Sequence, residues 1–477
     1  MPAADGWLTA RRELSAADWL RVLATDMDMH RVGLAVLLLC GTPGSALSFT
    51  QRRAVEVPGA LRAAPFATKQ FTTALTKAPQ GYGAIFGGYV NTSSLLMAVA
   101  TDGQGRYAVV GATDADAYLA VFDSFGHKRM CESAFEPVDA LDPLRFYDQG
   151  HALAVTFGDG VVYVAGEAHH TGSSDDDFDA FIQAFDPCSC DKLGPAVIDG
   201  DVHHDAFNAV AYSAAGVIAV GYTATNEGEV FLAERWTADL SSPIYQLYYG
   251  IEGTTGGNHT NAVAFDDLGN AWTFGFVHFT PAPVDQRLEL HGLNPDGSVR
   301  NTTFFFNSDS GPSQYTSAQL GSDGLIYAAG TIVDSRLPVG PRPFALFEAG
   351  YSPDLTSPAC RVAIQGTLGS FGMDLDGGDS LGAYLFAAVD PASSPRPGVL
   401  LRLHAADCIA SDTPIVLGSS DGIDVPGGLA YDSSTQTVRT VAATTGTDYS
   451  PNTDGSVLVP PQNGFQSEFG IHSAIAR

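Results

Sequence analysis

The chain has 477 residues, 45% of them hydrophobic and 16% charged, so it is globular and can bury either several ordinary cores or one large repetitive one. Its formal charge of −29, from 53 acidic against 24 basic residues, repels phosphate backbones and anionic lipid; this argues against nucleic-acid and anionic-membrane partners and leaves divalent cations and basic partners open. With 52 Gly and 27 Pro spread along the chain, many short elements joined by turns are expected rather than long helices.

In chain order, the first legible element is residues 29–48, MHRVGLAVLLLCGTPGSALS, which has the layout of a secretory signal. Arg31 supplies the positive start, and Val32 to Gly41 form an apolar run too short to span a bilayer comfortably. Pro43 and Gly44 break the helix, and Gly44-Ser45-Ala46 or Ala46-Leu47-Ser48 offers a cleavage box. On this reading residues 1–28 are an upstream extension, omitted if translation begins at Met27 or Met29. Residues 29–48 are the signal peptide, 49–82 a linker and 83–477 the folded domain. The alternative is a genuine extension before a single membrane anchor. The favoured expectation is a secreted, periplasmic or cell-surface protein with no transmembrane segment in its mature chain. Leu39 precedes Cys40 where a lipidation motif has a small residue, which argues against acylation.

From residue 98 onward one module recurs. AVATDGQGRYAVVGAT (98–113) is followed by HALAVTFGDGVVYVAGEA (151–168), FNAVAYSAAGVIAVGYT (207–223), TNAVAFDDLGNAWTFGFV (260–277) and TSAQLGSDGLIYAAGTI (316–332). Two degenerate copies, at 372–389 and 427–444, complete the set. A glycine after the second apolar run recurs at Gly111, Gly166, Gly221, Gly275 and Gly330, a period of about 55 residues. Each copy reads as an apolar run, a Gly/Asp turn and a β-rich run, which together predict a hairpin. A variable loop then leads to a third run, such as DAFIQAFD (179–186) or EVFLAERW (229–236), and a weaker fourth, such as SPIYQLYYG (242–250). Four antiparallel strands per unit and seven units predict an all-β, seven-bladed β-propeller. The recurring glycine is expected where another backbone comes close, as neighbouring blades would near the axis. GAIFGGY (83–89) is expected to complete the last blade, whose third run is expected at DGSVLVP (454–460). The tail FQSEFGIHSAIAR (465–477) competes with GAIFGGY for the closing position.

The combination of AVATDGQGRYAVVGAT, DAFIQAFD and LNPDGSV (293–299) resembles the bacterial secreted propeller repeats called the delta-sixty, or seven-bladed β-propeller, repeat. The resemblance covers about 95–447. It implies an exported propeller and, since members mostly lack an assigned reaction, a binding or scaffold role more than an enzyme.

In such a blade, the loop between strands two and three and the connection to the next blade emerge on one face, and loops on rigid scaffolds carry function. Two loops on that face are rich in potential ligands, HHTGSSDDDFD (169–179) and DGDVHHDAF (199–207). The proposed divalent-metal site, for zinc or calcium, draws on His169, His170, His203, His204, Asp177, Asp201 and Asp205, with Asp175, Asp176 and Asp199 beside them. The competing reading is a solvated acidic rim. MDLDGGDS (373–380) looks like a calcium loop but occupies a hairpin slot and lacks the closing Glu, so an ordinary turn is expected. DDLGNAW (266–272) matches part of a sialidase-type Asp box but occurs once, again in a hairpin slot. Cys131, Cys188, Cys190, Cys360 and Cys408 all fall near the start of a fourth strand. They are expected to be structural bridges or idle thiols on the outer rim, with at least one of the five remaining free or pairing between chains. The expected protein is therefore a monomeric, exported binding or scaffold propeller for a protein or carbohydrate ligand. The alternative is a secreted hydrolase, lyase or cofactor-dependent dehydrogenase with its site at the channel mouth.

Overall fold

The computed structural model describes residues 67–475, apart from 445–467 and stretches within several of the connections between strands. Residues 1–66 and 476–477, with the signal-like segment and Cys40, lie outside the described residues, as do 454–460. No helix among the described residues is long and apolar enough to cross a membrane.

Three short strands come first: β1 (Ala67–Gln70), β2 (Thr76–Lys77) and β3 (Gly81–Phe86). The repeat then delivers strands in fours. The first copy gives β4 (Ser94–Thr101), β5 (Arg106–Thr113), β6 (Asp116–Asp123) and β7 (Arg129–Phe135). The second gives β8 (Tyr147–Gly158), β9 (Val161–His170), β10 (Phe178–Phe185) and β11 (Val197–Asp199). The third gives β12 (Asp205–Ser213), β13 (Gly216–Thr225), β14 (Gly228–Trp236) and β15 (Pro243–Tyr249). The fourth gives β16 (Asn258–Phe265), β17 (Ala271–His278), β18 (Gln286–Leu293) and β19 (Val299–Phe305). The fifth gives β20 (Gln314–Leu320), β21 (Ile326–Val333), β22 (Pro343–Tyr351) and β23 (Cys360–Gln365). The sixth gives β24 (Thr367–Leu375), β25 (Gly382–Val389), β26 (Gly398–His404) and β27 (Ile415–Leu417). The last supplies β28 (Asp424–Asp432), β29 (Thr437–Thr444) and β30 (Glu468–Ile475).

The fold is an all-β propeller of four-stranded antiparallel blades. Four of the sheets are four strands in chain order, as in β12-β13-β14-β15, two more carry such a four with one N-terminal strand added, and the remaining sheet is β28-β29-β30-β3. An early strand and the last described strand are therefore neighbours in one sheet, Gly83 opposite His472 and Ile85 opposite Gly470. The N-terminal strand completes the last blade as expected, but the third position expected for 454–460 is taken by the tail. The tail is the third strand and the N-terminal strand the fourth, so both are used, and 454–460 is not the third strand. Part of the expected linker also pairs with the ring: β1 adds in parallel to β23 and β2 in parallel to β27.

The apolar runs explain why the sheets stack. Each sheet is too thin to hide its own faces, so alternate residues bury against the sheets on either side. One cluster joins the first and second sheets through Val110, Val121, Val164 and Phe181. Another joins the second and third through Tyr163, Ile182, Val217 and Trp236. The seam between last and first is closed by Leu96, Tyr107 and Phe122 against Ala430 and Val441. Beside it the buried Arg439 guanidinium lies 4.6 Å from the centroid of the Tyr107 ring.

The recurring glycine has a sharper cause than the expected approach of neighbouring blades. A Cβ on Gly221 would lie 1.7 Å from the Ala206 carbonyl oxygen, and one on Gly275 would lie 1.8 Å from that of His259. Both carbonyls belong to the innermost strand of the same sheet. There the register slips by one residue, between Phe207 and Ala209 and between Thr260 and Ala262. The same slip occurs opposite Gly111, Gly166 and Gly330. The glycine accommodates a β-bulge that bends the inner strand beside the axis.

The hairpin aspartates are turn caps. The Asp102 carboxylate accepts the N–H of Gln104 and of Arg106, each at 2.8 Å. Asp266, in the Asp-box-like stretch, likewise accepts Leu268 N–H at 3.0 Å and Asn270 N–H at 2.7 Å. Asp374 ties two blades by accepting Tyr431 N–H at 2.7 Å.

Four of the cysteines bridge adjacent blades on the outer rim, Cys131 to Cys190 and Cys360 to Cys408, and the exposed Cys188 is a free thiol. Cys190 and Cys408 hold left-handed φ angles of 58° and 56° in matching turns between strands three and four. The comparable turn of the fifth sheet places Leu355 there, φ 56° and fully buried, so an apolar plug and a disulfide serve one purpose.

Candidate functional site

The axis of the ring holds a cavity of about 150 Å³. Its wall takes residues from the innermost strand of each sheet, among them Met97, Val155, Val210, Asn261, Thr316 and Leu429. Among the described residues no titratable side chain lines it. The bulge residues knit its waist. Asn208 donates through Nδ2 to Thr260 O and to Asn261 Oδ1, each at 3.2 Å, and Asn261 Nδ2 donates to Tyr315 O at 3.2 Å.

The titratable groups gather instead on the loop face, where the innermost strands begin. His151 and Glu167 face each other across the β8–β9 ladder, which puts imidazole and carboxylate on one side of the sheet. His151 Nδ1 is 2.8 Å from Glu167 Oε1, and His204, just before β12, brings Nε2 to 3.1 Å from Oε2. The Tyr222 hydroxyl is 3.1 Å from the same His204 nitrogen. Further round, the fully buried His259 stands 2.9 Å from Glu229 through Nε2, its ring 3.9 Å from that of Tyr222. Histidine, carboxylate and aromatic groups thus form a continuous array over three blades.

Burial alone would raise the Glu167 carboxyl, but the hydrogen bonds from His151 and His204 outweigh it and hold the group at about 2. Glu167 is a locked ion, far too weak a base to accept a substrate proton at neutral pH.

The residues expected to bind metal are only partly brought together. His204 joins Glu167 as described. His169 packs its ring 5.2 Å from that of Phe178, which also stacks with His151 at 5.9 Å and meets His204 at 5.0 Å. His170 lies 6.1 Å from the Tyr147 ring and donates its backbone N–H to Asp177 O at 3.2 Å. Asp177 and Asp205 are buried, Asp205 pairing with Thr223 in the β12–β13 ladder. His203, Asp201, Asp175 and Asp176 lie outside the described residues. Among the described residues no group of three or more His, Cys, Asp or Glu side chains is placed to hold a metal ion.

His151, Glu167, Tyr222, Glu229 and His259 escape the sequence reading because they sit inside strands, not in the acidic loops, and Phe178, at the end of one of those loops, was not singled out there. A signal exists in the repeat itself. The residue after the recurring glycine is Ala112, Glu167, Tyr222, Phe276 and Thr331 in successive copies, and only Glu167 carries a charge in an otherwise apolar run.

A second unusual carboxyl lies toward the rim. Glu234 is pushed up to about 10, first by burial and then by the neighbouring Asp199 carboxylate. Gln246 bridges the pair, and Tyr248 OH donates to Asp199 at 2.9 Å.

No family model matches the chain, and no curated protein sequence matches it. Among solved structures it is similar to Sqt1 from Chaetomium thermophilum at 10% identity, over 81% of this chain and 90% of that one, with a TM-score of 0.41. The Dos1 propeller is similar at 8% identity, over 83% of this chain and 94% of that one, TM-score 0.42. The β-propeller domain of the Trilobed protease from Pyrococcus furiosus is similar at 10% identity, over 73% and 91%, TM-score 0.39. Likeness at this identity is of fold alone.

Proposed function

We propose that the chain is an exported, seven-bladed, non-enzymatic propeller that binds its partner at the loop face or the axial cavity. The observation that carries this reading is the cavity wall, whose described side chains are small, apolar or amide and hydroxyl groups, with no acid or base among the described residues. Such a wall can select by shape and hydrogen bonding but offers nothing to accept or donate a proton in a reaction. Seven blades follow from reading each of the seven sheets as one repeat, with the seam of Leu96, Tyr107, Phe122, Ala430 and Val441 joining last to first. Export is supported by the signal-like segment at 29–48, the two disulfides and the likeness to secreted propeller repeats. A divalent metal at the 169–179 and 199–207 loops remains part of the proposal, tested by equilibrium dialysis with zinc and calcium.

Two assays test the reading. Alkaline phosphatase fused after the first 66 residues is active only if those residues direct export, and activity is expected. The intact protein, offered panels of nitrophenyl esters and glycosides, is expected to give no turnover above buffer. The enzyme reading is favoured by one feature, the histidines that flank Glu167. Turnover that disappears in Glu167→Gln would establish that reading and overturn the binding one.

A further inference from the structure

The N-terminal strap is chemically unlike the ring it lies on. From Ala67 to Phe86 the sequence contains no Asp or Glu and carries Lys69 and Lys77, in a chain whose net charge is −29. Lys69 falls on β1 and Lys77 on β2. The strap joins the ring by adding strands to sheet edges. β1 runs parallel to β23 over four residue pairs, from Ala67 opposite Val362 to Gln70 opposite Gln365. β2 pairs with β27 over two, and β3 is antiparallel to β30 over six, from Gly81 opposite Ala474 to Phe86 opposite Phe469. Backbone pairing of this kind is indifferent to which molecule supplies the strand. The sequence joining β3 to the first blade contains Gly87-Gly88, the residues with the widest backbone freedom.

We infer that the edges of β23, β27 and β30 accept this strap from a second copy of the chain as well as from their own, so that two copies exchange straps into a closed dimer. Three features favour a second copy as occupant. The pairings on β23 and β27 are short, and short edge strands open at low cost. Two rings of the same large negative charge repel, whereas the acid-free strap is the segment that attracts an acidic ring. Exchange is reciprocal, because each ring gains the strap it gives up, so the interface closes on itself and does not propagate. The inference rests on the rim alone and stands apart from the loop-face reading.

Two separately purified full chains with different C-terminal tags are mixed, concentrated and captured on one resin, with and without an excess of a synthetic peptide spanning residues 65–86. The expected result is co-elution of both tags, a dimer by light scattering, and loss of co-elution when the peptide is present during mixing. The double substitution Ala84→Pro and Ile85→Pro is expected to abolish co-elution too. Neighbouring residues of a strand point their N–H groups to opposite sides, so one of the two faces β30. If that variant fails to fold, the peptide arm still decides. A chain that stays monomeric on concentration, or a dimer the peptide leaves intact, overturns the inference.

Discussion

Replacing Glu167 with Gln keeps the shape of the side chain and removes its charge. In the folded protein this carboxyl lies at about 2, against an ordinary value of 4.5, because the hydrogen bonds from His151 and His204 overcome the cost of burial. A depressed carboxyl stabilises the fold where the unfolded chain is also ionised, that is above about pH 4.5, and the contribution fades as pH falls through 4.5 toward 2. The difference of about 2.5 pH units corresponds to about 3 kcal/mol. The group is almost wholly buried, its side chain 4% exposed, so solvent screening removes little of this. Glu167→Gln is therefore expected to cost about 3 kcal/mol at pH 7 and progressively less toward pH 2. Native-state hydrogen exchange of the β8 and β9 amides reads this locally, without assuming that so long a repetitive chain unfolds in one step. A cost that stays constant between pH 7 and pH 3 would refute the ionic account of the array.

Glu234 has the opposite sign. Raised from 4.5 to about 10, it withdraws stability as pH climbs above 4.5, so Glu234→Gln should stabilise the protein at pH 8 and have little effect below pH 4, measured by thermal unfolding at both. Gly221→Ala places a methyl group 1.7 Å from the Ala206 carbonyl oxygen, and a loss of several kcal/mol is expected in denaturant unfolding. Cys131→Ser removes a bridge between residues 59 apart in sequence and should cost about 2–4 kcal/mol; peptide mapping of the non-reduced parent should recover Cys131 joined to Cys190.

Much of the architecture was legible because stacked sheets force a period on the chain. The glycine at Gly111, Gly166, Gly221, Gly275 and Gly330 marks the second strand of five of the copies, and runs such as EVFLAERW coincide with β14 almost residue for residue. What the glycine does was not legible, since a bulge is a mismatch between two strands and neither strand announces it alone. The strand at Gly81–Phe86 that completes the last sheet was legible, but its third strand was not, for a related reason. DGSVLVP and FQSEFGIHSAIAR both look like strands, and their choice depends on partners at the other end of the chain. The loop-face array was not legible because polar residues such as His151 and Glu167 lie within apolar strands and are brought together only by strand pairing, whereas the acidic loops, with His203 and Asp201, carry their clusters in the sequence itself. The bridge-forming role of the rim cysteines was readable from their shared position, whereas their pairing required the blades to be set side by side.

Cross-linking between the two ends of the chain tests the ring most directly. Gly83 and His472 stand opposite each other in the β3–β30 ladder, so the pair Gly83→Cys and His472→Cys is expected to oxidise to a disulfide within one molecule in dilute solution. The same cysteines remaining as separate thiols in the folded protein would contradict a ring fastened by both termini.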